Sequence, residues 1–581
     1  MNLQVERMEM ERDSDSLREE YFHIAFFSME MGLDHKMPTY SGGLGTLAGD
    51  ILRSCADLSV PLVAVTLASN KGHFSQRLDK AGNQVELPME WRIDDFAALR
   101  QPKVSVPIGV REVKIQAWEY LLTGLGGYQV PVYLLDTNLF ENDPSDREIT
   151  SYLYGGDERY RLSQEIVLGI GGVRMLDALG HTTIRKYHLN EGHSALVALE
   201  LIKGMRSEHP EYTNEQIIEL VRKKCIFTTH TPVPAGHDKF SASLVKSLLG
   251  GYLEADEIAK ICPGNELNMT LLALDHSGYI NGVAKRHEEI SRNMFPGYPI
   301  DSITNGVHHV FWTSEPFRKL YDRHISGWRK DPFDLRYVIS IPKEEIIQTH
   351  RDAKGRLIDL VNAKHGIGMN YDTFTVGFAR RMTKYKRPDL LFSNTERLAA
   401  IAKNTGPIQI IFAGKAHPKD WEGKELIKHI FGAIKRLEED IKIVFLENYD
   451  LGLAKVITSG VDLWLNTPKR PLEASGTSGM KACLNGVPSL SVLDGWWVEG
   501  CVEGVTGWAI DAIITNRSPD QSDDSKDAEN LYEKLERVIV PMFYRNTDAW
   551  AEIMRYAIAF NASFFNSHRM VQQYLLNAYL T

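Results

Sequence analysis

Short apolar runs recur along this chain, each bounded by polar or glycine-containing stretches: "PLVAVTL" (61–67), "VPVYLLD" (130–136), "TFTVGFA" (373–379), "IQIIFAG" (408–414) and "IKIVFLE" (441–447). Runs of this length, rich in β-branched and aromatic residues and followed by a turn and a helical pattern, predict strands buried on both faces of a parallel sheet. The class is therefore α/β, and the pattern occurs in both halves. Between them, "DSITNGVHHVFWTSEPFRKLYD" (301–322) mixes turn residues with aromatics, and "IPKEEIIQTHRDAKGRLIDLVNAKHG" (341–366) reads as a polar helix, so a boundary is expected near 310–340. The division that follows is 1–320, 321–530, and a helical block 531–581 that could pack back on the first unit. The polar, breaker-rich "NRSPDQSDDSKDAEN" (516–530) predicts a surface loop ahead of helices over 531–560. Open parallel sheets bind ligands beyond the carboxyl ends of their strands. The chemistry is thus expected in strand-to-helix loops facing a cleft between two units.

Composition changes this picture little. At 581 residues the chain is long enough for two or three cores, and 43 % hydrophobic with 24 % charged residues is ordinary for globular proteins. A formal charge of −10 argues against nucleic-acid or anionic-membrane partners, though local basic clusters can still hold phosphate. The five cysteines, Cys55, Cys225, Cys262, Cys483 and Cys501, have no CxxC spacing and read as reduced thiols. The charged start "MNLQVERMEMERDSDSLREE" lacks an apolar core for a signal peptide, and no run is long enough for a membrane helix, so a cytoplasmic protein is expected.

Four motif groups carry candidate chemistry, one of them a pair of histidine segments. "YSGGLGTLAGD" (40–50) is a glycine turn opening a helix, where Gly42, Gly43 and Gly45 let a backbone approach a phosphate or sugar; it lacks GxGxxG spacing. "FARRMTKYKRPDLL" (378–391) places Arg380, Arg381, Lys384, Lys386 and Arg387, with Tyr385 among them, directly after a strand, a placement that favours anion binding over a merely solvated face. "HLNEGHSALVALEL" (188–201) and "FTTHTPVPAGHDKF" (227–240) hold His193, His230 and His237 without HExxH or other ligand spacing, so no metal is expected. "EASGTSGMKACLNG" (473–486) puts small residues before Lys481 where a helix should begin near Thr477. It is no P-loop, because GxxxxGK[ST] is absent. A partly desolvated lysine there titrates low enough to form a Schiff base, which is the chemistry of a pyridoxal phosphate lysine.

Taken together, these segments resemble the α-glucan (glycogen, starch, maltodextrin) phosphorylase family, in its short microbial form. "FFSMEMGL" (26–33), "LYGGDERYRLSQEIVLGIGGVRML" (153–176), "SITNGV" (302–307), "GKAHPKD" (414–420) and "LENYDLGLAKV" (446–456) join the four motifs in family order over roughly 22–510. The resemblance implies a GT-B fold: an N-terminal Rossmann-like glucan-binding domain (1–320) and a C-terminal Rossmann-like domain (321–530) that binds pyridoxal 5′-phosphate and phosphate. It implies reversible phosphorolysis of terminal α-1,4-glucosyl units to α-glucose 1-phosphate with retention. The partners implied are an α-1,4-glucan or maltodextrin and inorganic phosphate, and the family allows a homodimer.

Carried onto this chain, the resemblance makes His230, Arg381, Lys386 and Lys481 catalytic. Lys481, Thr477, Ser478, Gly479, Tyr449, Arg380 and Glu30 would surround the cofactor. Gly42, Gly43, Glu473, Ala474, Ser475, Gly476, Asn305, His193 and Arg161 would bind substrate. Three positions depart from the long animal and plant enzymes: Arg380 stands for a lysine, Thr383 for a histidine and Asp450 for an arginine. A nucleotide-sugar-dependent glucan synthase of the same fold, needing no Lys481, and a catalytically idle glucan-binding module remain as alternative readings.

Overall fold

The computed structural model describes residues 23–89, 91–510 and 523–581; the charged N-terminal stretch and residues 516–522 of the loop expected at 516–530 lie outside them. Strand Ile24–Phe27 is the hinge of the first sheet. It pairs in parallel with Leu62–Leu67 on one side and Lys186–Asn190 on the other, with Ile24 opposite both Leu62 and Lys186. Cys225–Thr228, Tyr279–Gly282 and Ile300–Ser302 continue one flank, all parallel. Gln129–Asp136 continues the other, and antiparallel Arg111–Thr123 follows it. The parallel strands are largely buried, apart from the edge strand Ile300–Ser302, where Asp301 is exposed. Arg111–Thr123 instead alternates, with Val113, Ile115 and Ala117 buried and Lys114 exposed, which is the period-two signature of a strand with one dry face.

The second sheet is wholly parallel, in the order Lys442–Leu446, Ile408–Ala413, Phe374–Ala379, Leu463–Asn466, Ser489–Val492, Gly507–Ile510. Numbered along the chain this is 3-2-1-4-5-6, the doubly wound arrangement, whose direction reverses between Phe374–Ala379 and Leu463–Asn466. The first sheet reverses likewise between Ile24–Phe27 and Lys186–Asn190. Loops leave both switch points toward one cavity, so the α/β expectation and its two-sheet GT-B form describe the molecule. All five apolar runs are strands. One detail of the expected pattern fails: Leu62–Leu67 leads not into a helix but into the hairpin Ser75–Leu78/Gln84–Leu87. That hairpin docks on the second unit, where Gln76 Nε2 donates to the Gly414 carbonyl and Gln84 Nε2 to the Ala416 carbonyl, both at 2.9 Å.

The polar stretch at 341–366 is the helix Lys343–His365, closed by Gly366 at φ 63°, a left-handed terminus that favours glycine. Residues 524–530, expected as loop, instead begin the helix Asp524–Lys534, capped by the Asp523 carboxylate on the Lys526 amide; polar composition concealed a solvent-facing helix with Ala528 and Leu531 turned inward. This helix and Thr547–Tyr556 pack on the second sheet through Leu531, Tyr532, Trp550 and Met554. The last helix, Ser567–Tyr574, returns to the first: Met570, Val571, Tyr574 and Tyr579 join its core, and the Tyr579 hydroxyl meets His188 Nδ1 at 2.6 Å. The chain thus passes between units twice, and the passages are stitched by Val307 N–H to Phe565 O (3.1 Å) and Ser567 N–H to Val307 O (3.0 Å). Gly306 is required there, since a Cβ would sit 2.2 Å from the Asn566 carbonyl oxygen. Among the described residues no helix is long and apolar enough to cross a membrane, and the five cysteines are unpaired.

Candidate active site

A cavity of about 630 Å³ lies between the two switch points and is lined from both units. Its first wall begins at Glu30, just beyond Ile24–Phe27. Glu30 Oε2 accepts the amides of Ser41 (2.5 Å) and Gly42 (3.2 Å), while Oε1 accepts the Tyr154 hydroxyl at 3.1 Å. This carboxylate therefore shapes the glycine turn. A Cβ at Gly42 would stand 3.0 Å from the Arg381 guanidinium, which would have to shift, and Gly43 opens the helix Gly43–Asp57. With the Gly42 amide engaged by Glu30, the amides of Gly43 and Leu44 are the ones the helix start presents.

Glu191, which sequence reading passed over, organises the neighbouring loop. It adopts φ 78°, a strained value for a non-glycine residue, and its carboxylate accepts Gly192 N–H (3.0 Å), His230 N–H (2.8 Å) and the Thr231 hydroxyl (2.9 Å). His230 also contacts Asn190 Oδ1 through Nε2 at 2.8 Å, and burial brings its pKa down to about 3, so the ring is neutral. Burial likewise lowers His193 to about 3. His193 Nδ1 and Asn305 Oδ1 are buried polar atoms with no partner, in side chains that line the cavity. Orphaned polar atoms at a cavity wall are what hydroxyl-rich ligands satisfy. Arg161 donates to Asp238 from Nη2 (2.8 Å) and to Glu165 from Nε (3.2 Å) and stacks 4.4 Å from the Tyr154 ring centre. Burial would raise Asp238, but Arg161 holds it at about 2, whereas buried Glu165 is pushed well above the carboxylate range.

The second wall carries cations. Lys386 Nζ lies 2.8 and 2.7 Å from the two oxygens of Glu473, and Arg380 Nη2 lies 2.6 Å from Glu473 Oε2. Burial opposes ionisation of Glu473, yet Arg380 and Lys386 bring it down to about 2. Arg381 has no ion pair among the described residues, so its charge faces the cavity uncompensated. Lys481 lies on the short helix Ser478–Cys483, its ammonium 3.9 Å from the Trp312 ring centre, and burial lowers it to about 8. Trp312 is fixed in turn by Nε1 donating to Asp50 at 2.8 Å. Lys415 from "GKAHPKD" also lines the wall; its Nζ donates to the Phe74 carbonyl at 2.8 Å, and burial lowers it to about 8.

Tyr449, Ala474, Ser475, Gly476, Thr477 and Ser478 reach the cavity as well. Gly479 does not: it faces Trp496, where a Cβ would lie 2.7 Å from the indole, so its smallness serves helix packing. Asp450, at the position of a family arginine, caps the helix Leu451–Gly460 by accepting Leu453 N–H at 2.7 Å. Thr383 only opens the turn Lys384–Lys386. Asp494, unremarked in the sequence, accepts the Glu473 amide at 2.9 Å and the Gly495 amide at 3.0 Å, and burial raises it to about 7. It holds the loop that carries Glu473.

Comparison with known proteins agrees with this geometry. The sequence profile of the carbohydrate phosphorylases matches residues 253–506. A maltodextrin phosphorylase of Thermococcus litoralis is 40 % identical over 95 % of this chain and 70 % of its own length. A glycogen phosphorylase of Aquifex aeolicus is 37 % identical over 96 % of this chain and 86 % of its own, and one of Mycobacterium tuberculosis is 35 % identical over 96 % and 70 %. With two doubly wound sheets, a cation wall opposite a wall of neutral polar groups, and relatives of this identity along nearly its whole length, the chain belongs to the carbohydrate phosphorylase family.

Proposed function

We infer that the protein is an α-glucan phosphorylase, which uses inorganic phosphate to cleave a terminal α-1,4-glucosyl unit and release α-glucose 1-phosphate with retention. The observation that carries this reading is the opposition of the two walls: the neutral side chains of His193 and Asn305, each with a buried polar atom lacking a partner, line the same cavity as the unpaired Arg381 and the desolvated Lys481. A sugar suits the first wall and phosphate the second.

Pyridoxal 5′-phosphate fits the second wall on the chemistry of its donors. Lys481 is buried, is a weaker base than an exposed lysine and rests on an aromatic face, as a lysine bound covalently to an aldehyde cofactor must. Tyr449, Thr477 and Ser478 would flank the ring. When bound, the cofactor supplies a phosphate that transfers a proton to and from the substrate phosphate. The residues of the chain do the rest. Arg381 and Lys386 hold phosphate beside the sugar, with the Gly43 and Leu44 amides at the helix start, and their charge is worth most in a closed, dry site. Glu473, Ser475 and Gly476 bind glucose hydroxyls, Asp494 keeps their loop in place, and Asn305 and His193 complete the sugar contacts. The strained Glu191 fixes the turn of His230, so that its carbonyl faces the anomeric carbon as positive charge develops there. The test is a progress curve of glucose 1-phosphate formed from maltodextrin and phosphate. Chain elongation that requires a nucleotide sugar, with no phosphorolysis, would overturn the reading.

A further inference from the structure

Away from the cavity, three histidines meet where the two chain passages lie side by side. His308 and His309 stand on the first passage and His568 on the second. All three are buried, and one ring nitrogen from each lies within 4.8 Å of the others. Their hydrogen bonds fix the tautomers. His309 Nε2 contacts the Arg329 carbonyl oxygen at 2.8 Å; a carbonyl only accepts, so Nε2 carries the proton and Nδ1 is a bare lone pair. Asp57 Oδ2 lies 2.8 Å from His308 Nε2 and 3.3 Å from His568 Nε2. The other oxygen, Asp57 Oδ1, accepts the Leu125 amide at 2.7 Å, so the carboxylate accepts on both sides. An ionised carboxylate accepts as well, so both Nε2 atoms are protonated and His568 Nδ1 is also bare. His309 Nδ1 and His568 Nδ1 are both fully buried with no donor in reach, in rings whose centres are 4.5 Å apart. Two unprotonated, unpartnered imidazole nitrogens in a dry site incur a desolvation cost with no compensating bond.

We propose that the His308, His309 and His568 cluster, with Asp57, is a binding site for one borderline transition-metal ion of the Zn²⁺ class. A neutral imidazole is the form that ligates, and the hydrogen bonds place these rings as neutral tautomers. Three imidazole nitrogens, with the fourth position left to water, select Zn²⁺, Co²⁺ or Ni²⁺ over Mg²⁺ or Ca²⁺. His309 Nδ1 and His568 Nδ1 bind directly. The Arg329 carbonyl and Asp57 already hold their opposite nitrogens, as outer partners do at histidine sites. His308 Nδ1 accepts the Phe311 amide at 3.0 Å, so this ring binds through Nε2 and releases one proton to solvent for each ion bound. Tetrahedral bonds of about 2.05 Å set nitrogens about 3.4 Å apart. Loading therefore draws the rings, and with them the two passages, together. The ion would pin the crossing of the two units and take no part in the chemistry of the cavity. Sequence spacing at His193, His230 and His237 gave no sign of it, because His568 lies some 260 residues along the chain from His308 and His309.

Untagged, chelator-treated protein is titrated with Co²⁺ and, separately, Zn²⁺. One Co²⁺ per chain with tetrahedral d–d bands, release of one proton, and a rise in melting temperature with Zn²⁺ are expected, all lost in His309→Gln and His568→Gln. Binding at less than one ion per chain, or binding unchanged in both variants, would overturn the proposal. X-ray absorption on Zn²⁺-loaded wild type gives a reading that needs no variant to fold. A shell of light atoms near 2.0 Å with imidazole scattering is expected, and a sulfur-containing or six-oxygen shell contradicts it.

Discussion

The two walls of the cavity achieve polarity in opposite ways. On the first, every carboxylate already has a partner: Glu30 holds the glycine turn, Glu191 the histidine turn and Asp238 the Arg161 guanidinium. What remains for a ligand is neutral, namely the lone atoms of His193 and Asn305. On the second, Arg380, Arg381, Lys386, Lys415 and Lys481 face the cavity with Glu473 as the paired carboxylate. Neutral acceptors in a fixed frame discriminate hydroxyl positions, because a missing partner leaves a buried polar atom unsatisfied. Surplus cations bind and stabilise charge. A glucosyl transfer to phosphate needs both walls in contact with one substrate pair, and the doubly wound sheets supply them by turning their switch points toward each other.

Substitutions sharpen that contrast. The largest effect is expected from Lys481→Ala on the cation wall: no cofactor absorbance, no borohydride-stable label and no measurable phosphorolysis, with a far-UV circular dichroism spectrum like the wild type. Activity within a factor of ten of wild type would break the assignment. Arg381→Ala should lower kcat/KM by about 10²–10³-fold, the loss usual for one donor at a developing charge. Both the KM for phosphate and kcat should change, and an unchanged response to phosphate would remove the residue from the site.

On the opposite wall, Asn305→Ala removes one neutral hydrogen bond, worth about 0.5–1.5 kcal/mol, or roughly 2- to 12-fold. Here the KM for glucan should rise while that for phosphate stays put; the reverse pattern would dissolve the distinction between the walls. The smallest effect concerns Asp494. Its pKa rises on folding to about 7, so its protonated form favours the folded state. The unfolded carboxyl titrates near 3.9. Its contribution is complete below that value and is lost as pH rises toward 7. Asp494→Asn should flatten the fall in melting temperature over that window, and an equal slope in both proteins would show that another group sets it.

Much of this was legible in the chain. Five of the buried parallel strands announced themselves because strands covered on both faces are uniformly apolar, whereas shorter or more polar ones such as Ile24–Phe27 and Lys186–Asn190 did not. Arg111–Thr123 was not found, since its alternating pattern belongs to a half-covered antiparallel strand. The hairpin after Leu67 was also missed: its role is to reach Gly414 and Ala416 across the cleft, and Gln76 and Gln84 look like ordinary surface glutamines until that contact exists. Site residues in local motifs, such as Arg381 and Lys481, could be named from sequence. Those that act by holding another residue, Glu191 on His230 and Asp494 on Glu473, could not, because their partners lie 39 and 21 positions away. A profile sensitive to φ would have marked Glu191, whose strained backbone is its clearest signal.

The central claim is that phosphate and sugar react between these walls beside a cofactor on Lys481. The most direct test follows glucose 1-phosphate release from maltodextrin and phosphate, with borohydride reduction and peptide mapping of the same sample. The account predicts release together with a pyridoxyl group on the peptide containing Lys481. Release from protein with no such label, or a label on another lysine, would contradict it.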